Sequence, residues 1–288
     1  MNFKIITDGS SDMNVDFIKS SNITIVPMQS NMEDEIYEII GTDIEKLNEY
    51  YEFMLEDKNV STSQVNLAAF EKYFEEVLKN GEDVFYIGIT DVLSGTYKNA
   101  MKAKEILEKK YPDRKIYVYD TNQASTGTGL LCQIICKMQE DSKSIDEIDS
   151  FIKDNSKYMV AQFGVDNLKY LYKGGRISKT SAGIGSFLKV KPVLHVSDDG
   201  SLQVLKIERG NKRAIKVLFN NFKKNWKPEI SKEVLIGYAY FDENAKILKE
   251  LIEENFKDAK VSLAPIGSLI GSHVGPGMYS LSYFGEKR

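Results

Sequence analysis

Three short polar segments are the first places to look for chemistry. They are Asp8-Gly9-Ser10-Ser11-Asp12, Thr90-Asp91-Val92-Leu93-Ser94-Gly95-Thr96, and the stretch from Asp120 to Thr128. Each follows an apolar run that reads as a strand and leads into a helical pattern. In open α/β sheets, ligands bind outside the carboxyl ends of the strands. The free amides and dipole of a helix N-terminus favour an anion there. The second segment is the sharpest: Ser94 brings a hydroxyl, and Gly95 lets a ligand approach the main chain. An ordinary helix cap is built from the same residues, and both readings stay open.

The stretch from Gly267 to Gly277 holds five Gly or Pro residues and one of only two histidines, His273. An imidazole can donate, accept or charge near neutral pH. A loop histidine can equally be structural or solvated. The other, His195, sits between Leu194 and Val196 and reads as a sheet residue. Ser94 with His273 offers a nucleophile and a base, but no oxyanion or third-member signature accompanies the pair. The sequence contains no G-x-x-x-x-G-K-[ST], G-x-G-x-x-G, G-x-S-x-G or H-E-x-x-H. Cys132 and Cys136 stand four apart in an apolar run, so they read as small core residues of one helix face. A zinc site would need more ligands nearby, so no metal is expected.

Alternating elements must position these groups. Phe3 to Thr7 reads as a strand, followed by a short helix and the strand Ile23 to Val26. Leu47, Tyr50, Tyr51, Met54 and Leu55 recur at helical spacing over 43–57. Residues 60–64 read as a polar link. Asn66 caps a helix that Gly81 stops. The strands Val84 to Ile89 and Ile116 to Tyr119 alternate with helices over 95–110 and 127–138, and Ser144 with Glu147 forms a capping box. This alternation implies a mostly parallel, covered sheet in a domain spanning residues 1–157. The second half, 158–288, reads as an α+β domain. It has a strand over 158–164, a short helix over 165–172 closed by Gly174-Gly175, and strands over 190–196 and 201–207 around the hairpin signal Asp198-Asp199-Gly200. Helices over 211–225 and 243–256 follow, with strands over 234–240, 260–263 and 279–284. Pro265 to Gly277 reads as a loop.

Bulk properties narrow the function classes. The 288 residues carry 38 Lys plus Arg against 42 Asp plus Glu, a formal charge of −4. That balance argues against a nucleic-acid binder, and 42% hydrophobic residues argue against disorder. No secretory signal and no run of about 20 apolar residues is visible, so a cytoplasmic protein without a membrane span is expected. The charge is uneven. Residues 31–58 hold ten acids and two bases, Lys169 to Lys191 six bases and no acid, and Lys206 to Lys224 seven bases and one acid. The basic stretches contain Arg176 and Arg209 and suit an acidic or phosphorylated partner.

Several segments stand in order along the chain. They are Ile6-Thr7-Asp8 with Ser10 and Asp12, Thr62-Ser63-Gln64, and Ile89 followed by Leu93-Ser94-Gly95-Thr96-Tyr97 with Ala100. Asp120 with Ser125, Gly127 and Gly129 comes next. Leu168, Leu171, Gly174-Gly175-Arg176-Ile177-Ser178, Lys191-Pro192 and Gly200 fall in the second half. Gly271 and His273-Val274-Gly275-Pro276-Gly277 close the series. Taken together, these segments resemble the DegV family of bacterial fatty-acid-binding proteins. Gly9, Val65, Asp91 and Thr121 depart from the family pattern, and none of them is a proposed carboxylate contact. The resemblance implies a two-domain α/β protein with a lipid tunnel between the domains and one long-chain fatty acid as ligand, with no other cofactor. It implies that Thr62, Ser94 and His273 hold the carboxylate, with Ser63, Gly95, Thr96 and Ser125 nearby. It further implies that Arg176 and Arg209 dock a separate ATP-dependent kinase subunit that makes an acyl phosphate for phospholipid synthesis. Two hydroxyls and an imidazole can satisfy a carboxylate that is costly to bury unpaired. The competing readings are a Ser94/His273 acyl hydrolase or transferase and a small phosphometabolite-binding module.

Overall fold

A computed structural model describes residues 2–33, 35–38, 40–178 and 190–287. Lys179 and Lys189 of the first basic stretch lie outside the described residues. Short apolar runs build the first sheet. The strands β1 (Phe3–Asp8), β2 (Thr24–Val26), β6 (Asp83–Gly88) and β7 (Ile116–Asp120) pair in parallel in the order β2-β1-β6-β7. Both faces are covered by helices, so β6 is buried along nearly its whole length. The helix α1 (Val15–Ser20) precedes β2. The helices α3 (Leu67–Lys79) and α4 (Thr96–Lys110) pack on one another. Asn66 caps α3 by accepting from the Ala69 amide. The expected Ser144/Glu147 capping box opens α6 (Ile145–Asn155).

The second sheet has six strands: β8 (Met159–Gly164), β9 (Lys191–Val196), β10 (Leu202–Glu208), β11 (Glu233–Tyr238), β12 (Lys260–Pro265) and β13 (Tyr279–Phe284). Their order is β10-β9-β8-β13-β11-β12, antiparallel throughout except for the β11–β12 pair. The β9–β10 hairpin turns where Asp198-Asp199-Gly200 predicts it, and Gly200 takes a φ of 82°. His195 lies on β9, as its neighbours indicate. The helices α8 (Asn211–Asn225) and α9 (Glu243–Asn255) pack against this sheet. The helix α5 (Thr126–Glu140) runs between the two sheets. Its residues from Thr126 to Cys136 are almost all buried, including both cysteines.

Three segments differ from their sequence reading. Residues 60–64 are not a link: Val60–Ser63 forms β5, which joins β3 (Gln29–Met32) and β4 (Glu35–Tyr37) in an antiparallel sheet ordered β4-β3-β5. The Pro265 to Gly277 stretch is not all loop, because Ser268–Val274 forms the helix α10, so His273 is a helix residue. Burial compensates for its poor helix propensity. A side chain at Gly271 would overlap the Tyr51 hydroxyl of α2 (Ile44–Leu55). Hydrogen bonds from Ser30 to Ser268 (2.8 Å), Tyr50 to Ser272 (2.7 Å) and Tyr51 to the Ile266 carbonyl (2.8 Å) tie the small sheet and α2 to α10. The short helix near 165–172 is also displaced, to α7 at Lys169–Lys173. Residues 29–63 therefore share a core with Phe163, Leu171 and Val274 of the second half.

Candidate functional site

The junction of the three sheets encloses a cavity of about 570 Å³, within the range typical of ligand pockets. Its apolar wall includes Met28, Ile89, Phe163, Leu171, Leu269 and Ile270. At the polar end, β5 contributes Thr62, the loop before α4 contributes Ser94, the turn after α7 contributes Arg176, and α10 contributes His273. Thr62 Oγ1 lies 2.8 Å from His273 Nε2, and Ser94 Oγ lies 2.9 Å from Thr96 Oγ1. Either member of each pair can be the donor. Arg176 donates through Nε and Nη2 to the Leu93 carbonyl at 3.3 and 3.1 Å, and through Nη1 to the Gly174 carbonyl.

Two glycines make this closeness possible. A β-carbon on Gly174 would overlap His273 Nδ1, and one on Gly95 would overlap the Gln64 side chain. The Gly174-Gly175-Arg176 turn thus admits the imidazole while carrying the guanidinium beside it. Gly95 lets the Thr62-Ser63-Gln64 segment close over the Ser94 loop.

Burial, and then the positive charge of Arg176, push the His273 imidazole down to about 4. It is therefore neutral at neutral pH, and its buried Nδ1 has no partner among the described residues. Burial also lowers the Arg176 pKa, but a guanidinium stays protonated in proteins. Among the described residues no acid pairs with Arg176. The polar end of the cavity therefore has one half-buried positive charge, two hydroxyls and a neutral imidazole. That combination suits a carboxylate.

The other predicted residues divide. Ser63, Gly95 and Ser125 line the cavity, whereas Thr96 is buried behind Ser94 and accepts from the Val65 amide at 3.3 Å. Arg209 is exposed just before α8 and is not part of the lining. The Asp8–Asp12 segment serves the fold rather than the cavity. Asp8 accepts from Tyr86 (2.6 Å) and from the Ser10 amide (2.9 Å). Asp12 accepts from Ser125 (2.6 Å) and the Gly267 amide (2.8 Å), and burial pushes its carboxyl up to about 7. Asp120 likewise accepts from the Asp91 amide at 2.9 Å.

A family model described as an uncharacterised protein of the DegV family matches residues 2–286. The chain belongs to the DegV family. A DegV domain-containing protein of Clostridium perfringens is 36% identical over 99% of this chain and 98% of its own. Among solved structures, a DegV lipid-binding protein of Thermotoga maritima superposes with a TM-score of 0.84 at 26% identity over 100% of both chains. The Fatty Acid Kinase (Fak) B3 protein of Streptococcus pneumoniae, loaded with linoleic acid, has a TM-score of 0.86 at 21% identity over 99% of both chains. The DegV architecture of a helix-flanked parallel sheet with a second α+β part is the one described above. Among the described residues no helix is long and apolar enough to cross a membrane.

Some of the DegV chain's cavity residues carry no sequence signal. Thr126, Gln162 and Ser280 line the wall where α5 meets β8 and β13, and Thr126 bonds Ser280 at 2.8 Å. Thr126 falls within the Asp120 to Thr128 stretch that the sequence singles out, whereas Gln162 and Ser280 are ordinary strand positions with nothing to separate them from structure. Gln64 is visible only as a member of its motif. Arg176 reads in sequence as a surface docking residue of a basic stretch, yet it also lines the cavity.

Proposed function

We propose that this DegV chain holds one long-chain fatty acid, with its acyl chain in the apolar cavity and its carboxylate against Thr62, Ser94 and His273. The observation that carries the reading is the guanidinium of Arg176, which has no acidic partner among the described residues and lines the cavity with Thr62 and His273, whereas Asp91, the one acid of the lining, is paired with Lys98. A bound carboxylate supplies the missing negative charge. The lipid-binding and linoleate-loaded relatives support the same ligand class.

The chain then presents the carboxylate to a separate ATP-dependent kinase subunit, which forms the acyl phosphate. The kinase-subunit name of the pneumococcal relative and the lack of nucleotide motifs in this sequence support that division of labour. Arg209, exposed and outside the cavity, fits a docking role. Arg209→Ala should leave fatty-acid affinity unchanged and slow acyl phosphate formation with a cognate kinase subunit. An unchanged rate would remove Arg209 from the interface. The hydrolase reading is disfavoured by geometry. His273 Nε2 bonds Thr62 rather than Ser94, and no carboxylate orients its Nδ1 among the described residues.

A further inference from the structure

A second cavity of about 470 Å³ meets the first at Thr62, Arg176 and His273, which line both. Its character is different. Besides those three, its side chains include Lys58, Lys173 and Asp57. With Arg176, that makes three cations against one acid. Asp57 is itself bonded by Lys169. Lys58 Nζ stands 3.9 Å from both Glu33 and Glu56, and Lys173 Nζ 3.9 Å from Asp57. Those separations exceed hydrogen-bond range, so both ammonium groups keep donors free for another anion. Lys58 also lies over the Phe53 ring, 4.6 Å from its centroid, which holds its stem at the cavity.

We propose that this second cavity is a phosphoryl subsite, in which Lys58, Lys173 and Arg176 receive the phosphate of the acyl phosphate while its acyl chain stays in the first cavity. The inference rests on the fatty-acid reading above. A carboxylate held at Thr62 and His273 lies where the two cavities meet, so one of its oxygens can face the cationic side. That oxygen forms the new bond to the terminal phosphorus of a nucleoside triphosphate held by the partner subunit. The bond from that phosphorus to the nucleoside diphosphate breaks, and the diphosphate leaves with the electron pair. No proton is gained or lost overall. The product carries a dianionic group where the substrate carried a single negative charge, and compact ammonium groups bind phosphate well. The subsite would hold the product against hydrolysis until it is handed on.

The test uses the full chain and two probes, palmitate and a non-hydrolysable phosphonate analogue of palmitoyl phosphate, titrated by calorimetry. Neither lysine lines the first cavity. Lys58→Ala/Lys173→Ala should weaken the phosphonate by about tenfold or more, while palmitate changes by less than about twofold. Lys58→Gln and Lys173→Gln, which retain most of the side-chain bulk, should each show part of the same loss. Equal affinities for the phosphonate in wild type and the double variant would overturn the subsite and leave the fatty-acid reading intact. Inorganic phosphate binding at the two lysines as tightly as the phosphonate does would assign the cavity to free phosphate instead and would also overturn it. Failure of the wild type to bind either probe would overturn both readings.

Discussion

Thr62 and His273 are separated by 211 residues in the chain and by 2.8 Å in space. The contact exists because the small β4-β3-β5 sheet is bonded to α10 through Ser30 and Ser268, and α2 through Tyr50 and Ser272. A hydroxyl from an early strand and an imidazole from a late helix thereby form one polar wall. Arg176 completes it from the turn after α7, holding the Leu93 carbonyl just before Ser94. The site is thus assembled by four chain segments, each fixed by main-chain or buried hydrogen bonds.

Ser94→Ala should weaken fatty-acid binding by roughly 1.5–3 kcal/mol, the usual worth of a hydrogen bond to a charged group. Its melting temperature should change little, since Ser94 is only half-buried. Calorimetric titration with palmitate measures the first effect and a thermal melt the second. Unchanged affinity would remove Ser94 from the site.

Gly174→Ala tests the closeness of the G-G-R turn to the imidazole. The added methyl would overlap His273 Nδ1 and must push the ring or the turn aside. Palmitate affinity should fall about tenfold or more, with a stability loss of about 1–3 kcal/mol from overpacking. A variant that binds and unfolds like the wild type would show that the imidazole position is unimportant.

Arg176→Gln separates charge from packing. It should cost palmitate about 2 kcal/mol, roughly 30-fold, and leave the uncharged methyl ester of the same acid nearly unaffected. Titrating both ligands into both proteins gives the comparison. An equal loss for the two would make Arg176 a packing residue only.

The imidazole also predicts a pH dependence. Folding lowers the His273 pKa from 6.5 to about 4. Between those values the unfolded chain takes up a proton that the folded chain does not. This contribution to stability is therefore complete above pH 6.5 and is lost as the pH falls towards 4. Asp12 opposes it. Its carboxyl is raised from 3.8 to about 7, so its contribution is complete below pH 3.8 and is lost as the pH rises towards 7. Comparing wild type with His273→Gln isolates the imidazole. Urea unfolding of both should give a difference that grows from about pH 4 to about pH 6.5, by on the order of 3 kcal/mol. A difference independent of pH would contradict a buried neutral His273.

Local signals in the sequence placed much of this architecture. The three-and-four spacing of Leu47, Tyr50, Tyr51 and Met54 gives α2, the Ser144/Glu147 pair opens α6, and Asp198-Asp199-Gly200 makes the β9–β10 turn. What stayed hidden depends on partners far away. β5 carries Ser61, Thr62 and Ser63, is half-exposed, and lacks an apolar face, so only its pairing with β3 makes it a strand. α10 contains Gly271 and is capped by Gly275. These positions weaken a free helix but let this one pack against Tyr51. Ser94 and His273 were visible as reactive types. Their assembly with Thr62 followed from the family resemblance and not from spacing, because no local rule links residues 62 and 273. Arg176 reads as part of a basic surface because composition does not show that a glycine turn folds a side chain inward.

A fatty acid held in the cavity by its carboxylate should survive purification of the protein. The most direct measurement is native mass spectrometry of the freshly purified chain, followed by solvent extraction and identification of what is released. One long-chain fatty acid per chain is expected, retained by the wild type and largely lost from the combined Thr62→Val/Ser94→Ala/His273→Ala variant. A wild-type chain that carries no fatty acid and takes up none when palmitate or oleate is supplied would contradict carboxylate capture at this site.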